Sequence, residues 1–184
     1  MTPTPCNNRQ MPQQPPVKSS SPWIERYANS VPAGGSVLDL ACGGGRHAVF
    51  FMNRGHPVTA VDRDTRSIQA GANTDGIEII EADLEQGQWP LPGRCFAAIV
   101  VVNYLYRPHF PRLLESLADG GVLLFDTFAV GNEHFGHPRN PDYLLRPGEL
   151  LLEFGDVLNV IAYEHGEVRQ PAPAVRQRLC AVRP

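Results

Sequence analysis

The fold of this chain is decided by the stretch Val37-Leu38-Asp39-Leu40-Ala41-Cys42-Gly43-Gly44-Gly45-Arg46-His47. It begins as a short apolar run typical of a buried strand, breaks into a glycine turn, and continues with helical spacing. At such a junction the backbone can approach a ligand closely, and the free N–H groups of a helix N-terminus face it. The stretch therefore predicts a site for a nucleotide-like ligand.

Size and composition indicate one ordinary globular domain. The chain has 184 residues, of which 42% are hydrophobic and 19% charged. Residues 1–21 are polar and rich in proline, which predicts a disordered leader before a single domain at residues 22–184. The formal charge of −3 gives no electrostatic attraction to nucleic acid or to an anionic membrane. With no apolar run near the ~18 residues of a membrane span and only widely spaced cysteines, we expect a cytoplasmic protein.

Strand and helix patterns alternate along the domain, and this alternation predicts a parallel sheet. Five strands are expected at residues 36–40, 57–61, 77–81, 96–102 and 122–125. Two further strands, at 157–164 and 174–182, are expected to form an antiparallel hairpin with a tight turn at His165-Gly166. The predicted fold is therefore an α/β, doubly wound, mostly parallel and Rossmann-like sheet of seven strands, with a C-terminal antiparallel hairpin.

Polar side chains follow the predicted parallel strands, whose carboxyl ends form the ligand-binding edge of such a sheet. Asp62 lies 19 positions after Gly43, close to the spacing of about 20 expected for an acid that binds ribose hydroxyls. Asp39 stands beside the glycine turn, where it would repel a pyrophosphate and favour a cationic ligand. Each acid has a simpler alternative: a hydrogen bond beneath the turn for Asp39, a helix cap for Asp62, and a solvated loop position for Asp83.

Taken together, these residues resemble a known family. Asp39-x-Ala41-x-Gly43-x-Gly45 is similar to motif I of class I S-adenosylmethionine-dependent methyltransferases, with alanine at one glycine position. Val61-Asp62 resembles their ribose-binding acid, Ala82-Asp83-Leu84 their adenine-contacting segment, and residues 96–103 their motif IV. The resemblance covers residues 23–126 and the final hairpin. Within the class it is greatest to small bacterial tellurite-resistance-type and uncharacterised methyltransferases.

The resemblance implies an enzyme that uses S-adenosylmethionine to methylate a small molecule by in-line displacement. No dedicated catalytic nucleophile is expected, because the cofactor's sulfonium already provides a good leaving group. A catalytically silent cofactor-binding module and an NAD-dependent oxidoreductase remain as alternatives. The residues expected to bind the cofactor are Asp39, Ala41, Gly43, Gly45, Asp62, Asp83, Leu84 and Asn103.

The acceptor site is expected between the end of the fourth strand and a long segment at residues 127–146. That segment is predicted to act as a substrate lid, because structureless loops of this length within a domain are usually functional. Two histidines in it, His134 and His137, lack further ligands, so no metal site is predicted. The acceptor-pocket candidates are Asn103, Tyr104, Tyr106, His109, His134 and Tyr143.

Overall fold

A seven-stranded sheet with the order β3-β2-β1-β4-β5-β7-β6 forms the centre of the molecule. The computed structural model describes residues 19–71 and 74–184. Strands β1 to β5 are parallel, and β7 pairs antiparallel with both β5 and β6. The predicted fold class is therefore confirmed. The strands are β1 (Val37–Leu40), β2 (Val58–Asp62), β3 (Ile77–Glu81), β4 (Phe96–Val102), β5 (Leu117–Phe128), β6 (Asn159–Val168) and β7 (Ala174–Val182).

Alternating side chains of the central strands enter two separate hydrophobic layers, one on each face of the sheet. In β4, Ile99 and Val101 pack into one layer, while Ala98 and Val100 pack into the other. Both faces of β4 are covered, which explains why its sequence is an almost uninterrupted apolar run. The predicted bounds of β3, β4 and β7 are confirmed.

Five short α-helices cover the sheet within the described residues. The first begins at Pro22, where the Ser21 hydroxyl caps it by accepting a hydrogen bond from the Trp23 N–H at 3.2 Å. The stretch between β3 and β4, rich in proline and glycine, forms turns only. The helices are α1 (Pro22–Tyr27), α2 (Arg46–Met52), α3 (Arg66–Gln69), α4 (Phe110–Glu115) and α5 (Glu149–Phe154).

The largest departures from the predicted strand boundaries are in β5 and β6. β5 begins at Leu117 rather than at residue 122, since Leu117 pairs with Phe96 of β4. The C-terminal hairpin explains the other two. β5 continues past its predicted end to Phe128, because β7 supplies it with an antiparallel partner. The predicted turn at His165-Gly166 lies inside β6, paired with β7. The chain reverses instead at residues 169–173, where Pro171 and Pro173 have no N–H to donate to a strand ladder.

The predicted leader falls mostly outside the described residues, which begin at Ser19. Its last residues pack on the domain: Ser19 accepts a hydrogen bond from Arg46 through its carbonyl, and Ser21 is buried. Within residues 19–71 and 74–184, no helix is long and apolar enough to span a membrane.

Candidate functional site

A cavity of about 380 Å³ opens at the carboxyl ends of β1, β2 and β4, between the strand ends and the segment after β5. It lies at the edge of the sheet that the sequence predicts. The predicted site residues that line it are Ala41, Asp62, Asp83, Leu84, Asn103, Tyr104 and Tyr143.

The turn after β1 has a left-handed backbone at three positions. Gly43 and Gly45 have φ of 55° and 74°, values that glycine adopts without steric cost. Ala41 also has φ of 55°, a conformation that costs energy for any residue with a Cβ. This explains why the motif that the turn resembles has glycine at this position. Ala41 lines the cavity, and the Gly43 N–H donates a 2.7 Å hydrogen bond to Asp62.

Gly45 is predicted as a cofactor contact, and the structure shows a packing role for it. A Cβ at this position would lie 2.5 Å from Cγ1 of Ile68, a fully buried side chain of α3. The residue is therefore required for close packing of α2 against α3, and it does not line the cavity.

Asp39 does not line the cavity, and its assignment as a cofactor contact stays a prediction. Its side chain is buried within β1, and its Oδ2 accepts a 2.9 Å hydrogen bond from the Ala48 N–H. The N-cap residue of helix α2 is Gly45, which has no side chain to accept a hydrogen bond. Asp39 of the preceding strand therefore caps the helix instead. Burial raises the pKa of the Asp39 carboxyl to about 7, with the Ala48 hydrogen bond opposing the shift.

Asp62 connects the glycine turn to the loop after β2. Its Oδ2 accepts the hydrogen bond from Gly43, and its Oδ1 accepts one from the Asp64 N–H at 3.0 Å. A carboxylate can accept about four hydrogen bonds, so each oxygen retains capacity for a ligand hydroxyl. Asp62 thus lies in the cavity wall and also stabilises the turn beside it.

The segment after β3 is fixed from behind by two residues predicted to contact the acceptor. Nε2 of His109 donates to the Leu84 carbonyl at 2.5 Å, and the Tyr106 hydroxyl donates to the Glu85 carbonyl at 3.1 Å. Both side chains line a separate depression rather than the cavity. In this position they support the outer side of residues 84–85, and their assignment to the acceptor pocket stays a prediction. Asp83 turns the same segment by accepting hydrogen bonds from Glu85 and Gln86 through Oδ1.

The end of β4 presents two polar side chains to the cavity. Asn103 has a left-handed backbone (φ 57°), and its Oδ1 accepts a 2.7 Å hydrogen bond from Arg176 of β7. The Tyr104 hydroxyl is buried and has no hydrogen-bond partner in the described part of the chain. Burial, reinforced by Glu85, raises the pKa of Tyr104, so the phenol stays protonated at neutral pH. A ligand that reached this hydroxyl would supply the missing hydrogen bond.

The long segment after β5 is an ordered flap, here defined as residues 129–145. An isolated bridge between Ala129 and Leu145 closes its base. Within it, buried Asn132 donates to the Pro138 carbonyl and accepts from the Val175 N–H, so this residue holds the flap rather than facing the cavity. Tyr143 lines the cavity as predicted.

His134, predicted to line the acceptor pocket, lies on the exposed side of the flap. Its side chain is 80% exposed and lies 3.8 Å from Glu133. Among the residues that the structure describes, no group of three or more histidine, cysteine, aspartate or glutamate side chains could hold a metal ion.

The sequence analysis did not identify six residues that line the cavity, nor Arg176, which contacts Asn103 from outside it. Arg63 and Glu85 directly follow predicted site residues, so extending each strand-end motif by one position would find them. Arg176, which orients Asn103, comes from β7 and carries no local signal. The missed lining residues are Arg63, Glu85, Leu105, Thr127, Phe128 and Pro138.

Comparison with known proteins agrees with this site. Residues 37–120 match the family described as a methyltransferase domain, a range that includes the glycine turn, Asp62, Asp83 and Asn103. The match covers 84 of the 184 residues and includes most of the strand ends at which the cavity opens.

One relative is YqeM of Bacillus subtilis (strain 168), described only provisionally as a methyltransferase. The chain is 28% identical to it in an alignment 130 residues long, which covers 61% of this chain and 49% of YqeM. The chain therefore spans about half the length of this relative.

Solved structures share the fold. TehB from Haemophilus influenzae has a TM-score of 0.70 at 19% identity, over 88% of this chain and 61% of TehB. The N-methyltransferase NodS from Bradyrhizobium japonicum WM9 has a TM-score of 0.65 at 17% identity, over 89% of this chain and 97% of NodS. The glycopeptide N-methyltransferase MtfA, solved with S-adenosylhomocysteine, has a TM-score of 0.61 at 20% identity, over 88% of each chain.

Proposed function

We propose that this chain is a methyltransferase that uses S-adenosylmethionine to methylate a small-molecule acceptor. The observation that carries the proposal is the acidic cavity beside the glycine turn. Three carboxylates, of Asp62, Asp83 and Glu85, line it against the single guanidinium of Arg63. This charge suits a ligand with a sulfonium and an ammonium group, and it opposes the pyrophosphate of NAD.

The residues of the cavity fit the parts of this cofactor. Asp62 would bind the ribose hydroxyls, since its oxygens retain acceptor capacity after their bonds to backbone N–H groups. Asp83 and Leu84 would contact the adenine, while the backbone of Ala41 and Gly43 would face the methionine part. The unpartnered Tyr104 hydroxyl is a further donor or acceptor for the ligand.

Positioning is the main catalytic task in such a reaction. When bound, the cofactor supplies an electrophilic methyl carbon and a neutral thioether leaving group. The acceptor would bring the lone pair that forms the new bond, so no protein group has to act as a nucleophile. Asn103, Tyr104 and the flap would orient the acceptor, and orientation of this kind is worth up to roughly 7–11 kcal/mol. The flap would also exclude water from the cavity.

A small molecule fits this arrangement better than a polymer. The flap limits access to a cavity of about 380 Å³, and the formal charge of −3 provides no general attraction to nucleic acid. The composition also supports a cytoplasmic location as part of the proposal.

Calorimetry on the full chain with S-adenosylmethionine, S-adenosylhomocysteine and NAD tests the cofactor assignment. We expect both adenosyl ligands to bind and NAD not to bind; binding of NAD alone would overturn the proposal. Turnover is then measured as S-adenosylhomocysteine released with a panel of small acceptors and with RNA and DNA. Binding without release from any acceptor would favour a catalytically silent module, and release with nucleic acid alone would contradict the small-molecule assignment.

A further inference from the structure

A second cavity, of about 360 Å³, adjoins the first on the side of the C-terminal hairpin. Its walls come from residues 19–22, the N-terminus of α2, the flap and the turn between β6 and β7. Asn103 and Phe128 line both cavities, so the two spaces meet at the end of β4.

The charge of the second cavity is opposite to that of the first. Arg46, Arg176 and Arg178 line it, and Asp126 is the one acid among the described residues in its wall. Asp126 is already bound to two of the three guanidinium groups, at 2.6 Å from Nε of Arg176 and 3.1 Å from Nε of Arg178. The wall therefore has more positive charge than its own carboxylate can balance.

Arg46 is the cation without an acidic partner. Its one side-chain hydrogen bond in the described part of the chain goes from Nη1 to the Ser19 carbonyl, a neutral acceptor, at 3.1 Å. Burial and the positive charge of Arg176 lower its pKa, and together they outweigh the attraction of Asp126 and Asp39. An anion beside Arg46 would relieve this repulsion and form charge-assisted hydrogen bonds.

The remaining wall is largely apolar. Phe128 lies under the Arg176 guanidinium at 4.5 Å, and Phe135 of the flap lines the same space with 44% of its surface exposed. Pro171 and Pro173 of the hairpin turn complete this side. A ligand with a hydrophobic body and one anionic group would match both halves of the wall.

We propose that the methyl acceptor is an organic anion whose carboxylate binds Arg46 in the second cavity and whose apolar body packs on Phe128 and Phe135. This inference rests on the proposed methyltransferase function. Anchored in this way, the acceptor extends past Asn103 toward the first cavity, where the cofactor would bind. Selectivity for anionic acceptors then arises from the hairpin and α2, outside the cofactor site.

Binding of matched probes to the full chain, saturated with S-adenosylhomocysteine, tests the assignment. The probes are phenylacetate, its neutral amide phenylacetamide and the cation phenethylamine. Because a charge-assisted bond is lost, we expect the amide to bind about tenfold more weakly than the acid and the amine more weakly still. Equal affinity for acid and amide would overturn the proposal, as would phenylacetate that binds the free chain but not the chain saturated with S-adenosylhomocysteine.

Variants at two arginines separate the cavities. Arg46→Gln should weaken phenylacetate about tenfold and leave the affinity for S-adenosylhomocysteine unchanged, while Arg46→Lys should retain part of the phenylacetate affinity. Arg63→Gln, the matched change in the first cavity, should not alter phenylacetate binding. If Arg46→Gln weakened S-adenosylhomocysteine instead, the second cavity would belong to the cofactor. If the parent chain did not bind S-adenosylhomocysteine, the proposed function itself would fail, whereas failure with phenylacetate alone would remove only this inference.

Discussion

Asp39 illustrates at the scale of one residue how a buried acid can stabilise a helix and titrate near neutral pH. Because burial raises its pKa from about 4 to about 7, the folded protein binds a proton that the unfolded chain releases across this range. The contribution of Asp39 to the free energy of unfolding is therefore largest below about pH 4, falls as pH rises to about 7, and stays low above it. In the folded protein, nearby His47 is neutral between about pH 4 and 7, because burial lowers its pKa to about 3.

Asp39→Asn should remove this dependence. We expect the free energy of unfolding of the parent chain, relative to Asp39→Asn, to decline between about pH 4 and 7 and then to level. Urea unfolding of both proteins across this range measures the difference, and Asp119→Asn, an exposed carboxylate, serves as the control. Parallel stability curves for the parent chain and Asp39→Asn would contradict the assignment.

The glycine turn offers a matched pair of substitutions. Gly45→Ala should destabilise the protein by about 2–4 kcal/mol, because it adds the left-handed backbone cost and a clash with buried Ile68. Gly44→Ala should change stability by less than about 0.5 kcal/mol, since a Cβ there meets open space. Chemical unfolding of the two variants checks the contrast, and equal losses would disprove this account of the turn.

Asp62 is the residue predicted to bind the ribose hydroxyls of the cofactor. Asp62→Asn should weaken S-adenosylhomocysteine by about 1–3 kcal/mol, as expected when a hydrogen bond to a charged group is lost. Asp64→Asn is the matched control, because this carboxylate lies on the same loop and binds Arg66 outside the cavity. Calorimetry measures both, and an unchanged affinity in Asp62→Asn would remove the ribose assignment.

At the scale of the elements, the buried amide of Asn132 holds the first part of the flap, while Arg107 holds its end through the Asp142 and Leu144 carbonyls. Asn132→Ala would leave the Val175 N–H and the Pro138 carbonyl without their partner, which costs about 1–3 kcal/mol of local stability. We expect hydrogen exchange across residues 131–143 to accelerate by about 5- to 150-fold, with little change at β4. His134→Ala, on the exposed side of the same flap, is the control. Exchange rates equal in both variants would show that Asn132 does not hold the flap.

At the scale of the whole molecule, Asp126 joins four parts of the chain. Its carboxylate accepts hydrogen bonds from Ser21 before α1 and from Arg176 and Arg178 of β7, and Arg176 in turn holds Asn103 at the end of β4. The side chains of the Asp126–Arg176 pair are 3% and 10% exposed, so removal of the acid leaves a buried cation.

Asp126→Asn should therefore lower the free energy of unfolding by about 3–5 kcal/mol, the usual cost when one partner of a buried ion pair is lost. Asp119→Asn is again the comparison, since Asp119 is 91% exposed beside Arg183. Urea unfolding gives both values. Similar losses would mean that the Asp126 cluster adds no more than a surface pair.

The sequence by itself determined the sheet and most of the edge at which the cavity opens. Apolar patterning located β3, β4 and β7 to the residue, and in β4 the run is unbroken because both faces of the strand are buried. The strand-end rule located Asp62, Asp83, Asn103 and Tyr104 at one cavity, because parallel strands end at a common edge.

Only the tertiary structure decided what each polar group does there. Asp39 and Asp62 both match acids of the expected pattern. Asp39 nevertheless caps helix α2, whereas Asp62 lines the cavity, because packing decides how deeply each carboxylate is buried and which N–H group lies beside it. Likewise, His109 and Tyr106 support residues 84–85 from outside the cavity. Arg46 and Arg176 line the same cavity only because β7 pairs with the sheet. Contacts between residues far apart in sequence leave no local pattern, so the second cavity and its charge exist only in the folded molecule.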